Sequence, residues 1–382
     1  MVKRTLFINY WGVEEGLTQS TSFPSLRLLQ EDSRVESVVF CSIERKGKPS
    51  LKSDLGSKIT FFSLISKDKR CNILNKFDDY LSFPSQLKQL VDEHNLNFII
   101  ARGASAGNLA YLLYKKTKLP FVVESFEPHA EYMLESGTWS KRSLKYQIQR
   151  FFEKKQIDLC KGLITVSDSY KKRLISEGVD SCRIEVARCP VGESFFEENK
   201  KNGGTGVVGV YVGKFGDIYY KEEVLSLFDK AYQYFEGFQL KIATPQNDSF
   251  IQVLRNRYPD AFIDFVPFEN IPGFLSSADF AFATVREAPV RLFCSPIKVG
   301  EYWAQGLPVM LTKGVGDDAG IIEHTGLGAL FSINEEDTID IAFEKIGELI
   351  KDTSSRNKIR QLAVLYRSLD HTKRAYDQLV FK

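Results

Sequence analysis

Long apolar runs are missing from this 382-residue chain, and no stretch approaches the ~20 residues needed to cross a bilayer. The start, MVKRTLFINYW, is charged and then briefly apolar, too short a run for a secretory leader with its cleavage site. The expected compartment is therefore the cytoplasm. Charge of one sign is missing too: 51 Lys and Arg stand against 49 Asp and Glu, a net charge of +2. A nucleic-acid partner, which calls for a basic domain or stripe, is not expected. The six cysteines are scattered with no C-x-x-C pair, which argues against zinc and leaves buried thiols as the simple reading. There is no tandem repeat, no Walker A loop, no D-x-D of the metal-holding kind, and no Ser/His/Asp or Cys/His set at recognisable spacing. The one glycine fingerprint, Gly204-Thr-Gly-Val-Val-Gly209, precedes a strand instead of closing one, so it is not a dinucleotide loop.

What is present is alternation. Short apolar runs at 5–11, 35–43, 58–65, 97–101, 120–126 and 162–166 are separated by helical periods such as 84–94 and 105–116. The polar, Gly-rich ENKKNGGTG interrupts them, and the pattern restarts at 207–212, 239–243, 262–266, 280–285, 308–312 and 328–333. Strand–helix alternation of this kind gives parallel sheets covered on both faces. The expected fold is α/β, two doubly wound Rossmann-like domains facing a cleft. They would span 1–195 and 206–361, with a C-terminal helical segment, 362–382, crossing back to the first. Ligands of such sheets sit at the carboxyl ends of the strands.

The stretch SPIKVGEYWAQGLP, 295–308, reads as one short helix. Ser295 suits the N-cap, Pro296 the first turn, and Gly306 with Pro308 the stop. Lys298 is out of place, because a cation in the first turn opposes the helix dipole by about 0.3–1 kcal/mol. An anion docked there would answer it. From Ser295 to Glu301 the helix rises roughly 9 Å at ~1.5 Å per residue, about the reach from a diphosphate to a ribose diol. Ile297, Gly300 and Ala304 share a narrow face suited to packing on the sheet. The alternative is a surface Glu–Lys pair. Upstream, Gly213, Lys214 and Lys221 lie where a strand ending at Val212 turns into a helix expected near 219–221. Two lysines there suit a phosphate, or are simply solvated.

These segments together resemble retaining GT-B glycosyltransferases of family 4 (group 1). SPIKVGEYWAQGLPV is similar to that family's donor-site helix, VGKFGDIYYK to its basic turn, GLITVSDSYKKRL to the strand–Ser–helix ending its first domain, and PGFLSSADFAFATV to the segment before its donor loop. The resemblance implies a sugar-nucleotide donor, transfer to a glycan or lipid-linked acceptor, retention of configuration, and neither metal nor cofactor. It also implies surface-polysaccharide or glycoconjugate synthesis. Glu301 would bind the ribose, and Lys214 and Lys221 the diphosphate. Where many relatives carry a first glutamate this chain has Phe293, and Glu287 and Arg291 in the same loop are the substitutes. The first domain should carry the acceptor side: the resemblance implies a glycine-bearing loop there, met by Gly12 and Gly16 after the first strand, and Arg102 ends a strand facing the expected cleft. Glu127 and His129, in ESFEPHAEY, follow another strand end and, with Lys214 and Lys221, are the catalytic candidates; the resemblance implies a histidine such as His129 beside the donor sugar. A same-fold epimerase and a non-enzymatic two-domain binding protein are the rivals.

One helix carries a further pattern. Residues 141–155, KRSLKYQIQRFFEKK, place Leu144, Ile148, Phe151 and Phe152 on one stripe amid six basic residues and one acid. The first expectation for the stripe is core. Its alternative is a peripheral contact with an anionic membrane surface.

Overall fold

The structure, a computed structural model, describes residues 2–45, 47, 49, 55–66, 72–197 and 206–382. The chain separates into two compact units, Met1–Pro190 with Leu369–Lys382, and Val191–Ser368.

The first unit runs β1 (Lys3–Asn9), α1 (Phe23–Glu31), β2 (Val35–Glu44), β3 (Ile59–Ile65), α2 (Asn72–Glu93), β4 (Phe98–Arg102), α3 (Ala104–Thr117), β5 (Phe121–Phe126), α4 (His129–Glu135), α5 (Leu144–Leu159), β6 (Gly162–Thr165), α6 (Asp168–Ser176) and β7 (Ile184–Val186). Its sheet is parallel, in the order β3-β2-β1-β4-β5-β6-β7. The second unit runs β8 (Val208–Val212), α7 (Val224–Tyr234), β9 (Gln239–Ala243), α8 (Ser249–Arg257), β10 (Phe262–Asp264), α9 (Ile271–Ser276), β11 (Phe280–Ala283), α10 (Ile297–Ala304), β12 (Val309–Thr312), α11 (Gly316–Thr325), β13 (Gly328–Phe331), α12 (Glu336–Lys351) and α13 (Ser355–Arg367). Its parallel sheet has the order β10-β9-β8-β11-β12-β13. In each sheet the direction of winding reverses beside the unit's first strand, between β1 and β4 and between β8 and β11. That reversal opens a crevice at the strand ends. The central strands β4, β11 and β12 are buried at every residue, which is why they read as unbroken apolar runs instead of alternating ones.

Three expectations are corrected. The C-terminal segment is two helices, not one: α13 stays in the second unit, and α14 (Asp370–Leu379) joins the first, where Ala375, Tyr376 and Leu379 enter the core beside Phe7 and Phe98. The second unit begins at Val191, whose N–H donates to the Arg367 carbonyl at 3.1 Å, so the two chain crossings lie side by side. Most of the Gly-rich stretch that suggested the boundary, 198–205, lies outside the described residues. Third, the stripe on α5 is core only in part: Phe152 is buried and Ile148 half-buried, but its other two members are not. Leu144 and Phe151 are 59% and 52% exposed, while the buried face is Tyr146, Gln149, Phe152, Glu153 and Gln156. That face is polar because it is hydrogen-bonded: Asn108 on α3 donates to Gln149 at 2.9 Å, and Gln156 donates to Asn108 at 2.6 Å.

Candidate functional site

The loops leaving β8 and β11 form the crevice of the second unit. Gly213 ends β8 at φ +130°, a conformation that L side chains rarely adopt. The chain turns again at Gly216 (φ +87°) and Asp217 (φ +55°). The two loops are then stitched together: Tyr220 N–H donates to the Thr284 carbonyl at 3.0 Å, and Arg286 N–H to the Ile218 carbonyl at 2.8 Å. This bridging occupies residues 218–220 with tertiary contacts, so α7 starts at Val224 and not at the expected 219–221.

The Lys298 helix, α10, completes the site. Its N-cap is Pro296, with no side-chain cap; the Ser295 hydroxyl instead accepts from Arg367 Nη1 at 2.5 Å, which corrects the capping role expected of it. Arg367, fully buried, also pairs with Asp318 at 2.5 Å. Gly300 turns out to face α13 and not the sheet: an added Cβ would lie 2.8 Å from Val191 and 3.0 Å from Arg367. Tyr302 reaches the sheet, its hydroxyl accepting the Val212 N–H at 2.9 Å. These contacts fix the helix against β8.

They also fix Lys298, which is buried, with an ammonium that has no hydrogen-bond partner among the described residues. The ammonium lies 3.9 Å from the centre of the Tyr219 ring and 4.7 Å from that of Tyr211, and 2.7 Å from where a Cβ on Gly213 would stand. Ring faces attract a cation, but they do not replace its lost hydration. Burial accordingly lowers the Lys298 pKa to about 7, against the pull of Glu301. Glu301, one turn on and also buried, is raised by burial to about 7, with Lys298 and Arg367 opposing. The two do not form an ion pair at contact distance. Chemically, such a cation can take an anion and such a carboxylate can accept from hydroxyl donors.

Of the other expected residues in this unit, Lys214 is exposed on the same turn. Lys221 is a third exposed, 3.5 Å from Glu222. Arg291 is buried just ahead of α10, and the Glu287 N–H donates to the Tyr220 hydroxyl at 3.3 Å. Phe293 is half-buried in the same loop. Tyr211 and Tyr219, which frame the ammonium, are candidate-site side chains that the sequence did not single out. A cue was available in the aromatic residues of YVGKFGDIYYK.

The first unit answers differently. Gly12 is buried where an added Cβ would meet Glu44 Oε2 at 2.6 Å, so backbone and carboxylate share a tight space. Gly16 has open space around it and an ordinary φ, so nothing local requires glycine. Arg102 is not open to a ligand as expected. Its Nη1 donates to Glu124 at 2.7 Å and its Nε to Thr21 at 3.2 Å. Glu127 and His129 follow β5, which bulges at Ser125 (φ +51°), and the His129 ring packs edge-on to Trp139 at 5.8 Å. Among the described residues no group of three or more His, Cys, Asp or Glu is placed to hold a metal ion.

A family model described as Glycosyltransferase Family 4 matches residues 37–194, less than half the chain and short of every residue in the second unit's crevice. No curated protein sequence matches. Solved structures match along the whole chain at low identity. Sucrose-phosphate synthase from Thermosynechococcus elongatus superposes with a TM-score of 0.73 at 12% identity, covering 99% of each chain. HepE from Anabaena, in complex with UDP-glucose, gives 0.69 at 12% identity, covering all of both. UDP-GlcNAc 2-epimerase from Neisseria meningitidis, bound to UDP-GlcNAc, gives 0.65 at 13%, covering 99% of this chain and all of the other. The shared fold is that of two Rossmann-like domains, as in GT-B glycosyltransferases.

Proposed function

We propose that this chain is a glycosyltransferase that takes a nucleoside-diphosphate sugar, a UDP-sugar in the first instance, and passes its sugar to a glycan or lipid-linked acceptor. The observation that carries the reading is the buried ammonium of Lys298 with no acceptor, beside Gly213 at the end of β8 and one turn from a buried carboxylate. A diphosphate at Gly213 would supply the acceptor, and Glu301 would take the ribose hydroxyls. Lys214 and Lys221 would steady the outer phosphate, with Arg291 and Glu287 near the sugar. Glu127 and His129 are the first unit's candidates for contact with sugar or acceptor. The UDP-sugars in the crystal structures of HepE and of the Neisseria epimerase support the same ligand class.

The reaction we propose retains configuration and uses no resident metal or cofactor. The acceptor oxygen bonds to the anomeric carbon on the face the diphosphate leaves. The carbon–oxygen bond to the β-phosphate breaks, and that phosphate oxygen takes the acceptor's proton. The cations around the diphosphate stabilise the charge that develops on it. A role in surface-polysaccharide or glycoconjugate synthesis, in the cytoplasm, completes the proposal.

Calorimetric titration with UDP-, GDP- and ADP-sugars tests it. One donor is expected to bind, and Glu301→Ala to weaken it roughly tenfold or more while the protein stays folded, as removal of a charged hydrogen-bond acceptor would. Unaltered affinity in that variant removes Glu301 from the site. The epimerase neighbours favour a second reading, in which donor is converted with no acceptor present. Incubation of the donor alone, followed by NMR of the sugar, separates the two.

A further inference from the structure

The exposed stripe of α5 is part of a larger feature. Leu81 on α2, 74% exposed, stands with Leu144 and Phe151 around a groove of about 410 Å³, floored by Leu112, Trp139 and Ile148. Three large, well-exposed apolar side chains around one concavity are more than isolated surface residues need. No helix among the described residues is long and apolar enough to cross a membrane.

The exposed charge on residues 141–155 and on α3 is of one sign, with Asp78 the acid one turn before Leu81 on α2. Lys141 and Arg142 precede α5, Lys145 lines the groove, and Lys155 lies over the Phe151 ring, 5.6 Å from its centre. One turn beyond Leu112, α3 contributes Lys115 and Lys116, both exposed. The single acid between 141 and 155, Glu153, is buried on the far side of α5, where it accepts from the Ala130 N–H at 2.9 Å. Apolar tips ringed by ammonium and guanidinium groups match the layered chemistry of an anionic bilayer: phosphate headgroups outside, acyl chains within. A second copy of this chain would bring the same positive rim against itself, and like charges oppose that contact.

We propose that the α2–α3–α5 face of the first unit docks on anionic phospholipid surfaces, with Leu81, Leu144 and Phe151 entering the acyl boundary and the surrounding lysines meeting headgroup phosphates. The surface stands independently of the donor reading, since it shares no residue with the second unit's crevice.

Co-sedimentation of the full chain with vesicles tests it. Binding is expected to phosphatidylglycerol–phosphatidylcholine vesicles and not to pure phosphatidylcholine, and to fall as salt is raised. Leu144→Ser with Phe151→Ser should reduce bound protein roughly tenfold, and Lys141→Glu with Lys145→Glu should do the same. All four positions are at least partly exposed, and an unchanged melting temperature checks the fold. Trp139 fluorescence should be quenched by brominated lipid, and the quenching should be lost in Trp139→Phe. Equal binding to neutral vesicles, no binding to either, or binding indifferent to Phe151 overturns the proposal. So does concentration-dependent dimerisation that the serine variant abolishes without any vesicle binding.

Discussion

Arg102 in the first unit and Lys298 in the second are both withdrawn from water, 6% and 8% exposed, yet their surroundings are opposite. Arg102 is held by partners: Glu124 and Thr21 accept from its Nη1 and Nε, and the Tyr376 hydroxyl donates to the other oxygen of Glu124. Arg367 is treated the same way by Asp318 and Ser295. Lys298 has two ring faces and a carboxylate one turn away. A buried charge is tolerable when paired and costly when not. The Arg102 and Arg367 cations are held by partners within the fold, whereas the Lys298 ammonium, with no hydrogen-bond acceptor among the described residues, is the one for which we propose a ligand.

The largest effect expected from breaking this contrast is at Arg102. Arg102→Met strands the buried Glu124 carboxylate, and loss of one partner of a buried pair costs about 3–5 kcal/mol. The urea midpoint of the first unit should drop accordingly, and Glu124→Gln added to Arg102→Met should restore much of it. A single variant that unfolds like the parent would show that the pair is not structural. At Lys298 the sign should invert. Lys298→Met removes a buried ammonium that has no hydrogen-bond acceptor among the described residues, so the ligand-free protein should gain about 1–3 kcal/mol. Donor affinity should fall at the same time by about 1.5–3 kcal/mol, the worth of a charged hydrogen bond. Greater stability with affinity intact would detach Lys298 from the site.

The same contrast can be sharpened by pH. In the folded chain Lys298 loses its proton near pH 7, whereas an unfolded lysine keeps it to its ordinary value of 10.5. The unfolded state therefore holds more protons in that window, and this group makes the ligand-free fold more stable as pH rises through it. Glu301 acts in reverse, because the fold keeps until about 7 a proton that the unfolded chain gives up near 4.5, so its contribution fades as pH rises from 4.5 to 7. The pair thus draws stability toward a minimum near neutrality. A diphosphate raises the Lys298 pKa. Binding above pH 7 should then take up a proton and weaken with pH, which calorimetry in buffers of different ionisation enthalpy can read. Lys298→Met should abolish the uptake.

Most strands were legible because each is a short apolar run, but the three-residue β7 escaped, and the order of the strands in each sheet came only with the structure. Lys298 was legible because its position breaks a purely local rule, the helix dipole, and breaks of that kind gather at functional sites. What escaped was set by distance along the chain. Arg102 reads as an open strand-end cation until Glu124, 22 residues on, and Tyr376, 252 residues beyond Glu124, are brought to it. On α5, periodicity marks an apolar stripe but does not say that Gln149 and Gln156 take the inside through a network with Asn108. The bridge that delays α7 to Val224 joins loops 66 residues apart, at Tyr219 and Val285.

The smallest expected effect separates buried from exposed cations within the crevice itself. Lys214 is in water and Lys221 is a third exposed beside Glu222, so solvent and salt already screen both. Lys214→Ala should leave unfolding within about 0.5 kcal/mol of the parent, as surface substitutions do. Its loss of donor affinity should be a few-fold at low salt and should fade at high salt, because an exposed charge acts on the ligand through screened solvent. The Lys298→Met loss should persist at both, because the space between that ammonium and a bound phosphate holds no salt to screen it. Donor titrations of the two variants at low and high ionic strength make the comparison. If Lys298→Met proves as salt-sensitive as Lys214→Ala, then Lys298 meets its anion in water, and the division between the two kinds of cation in this crevice fails.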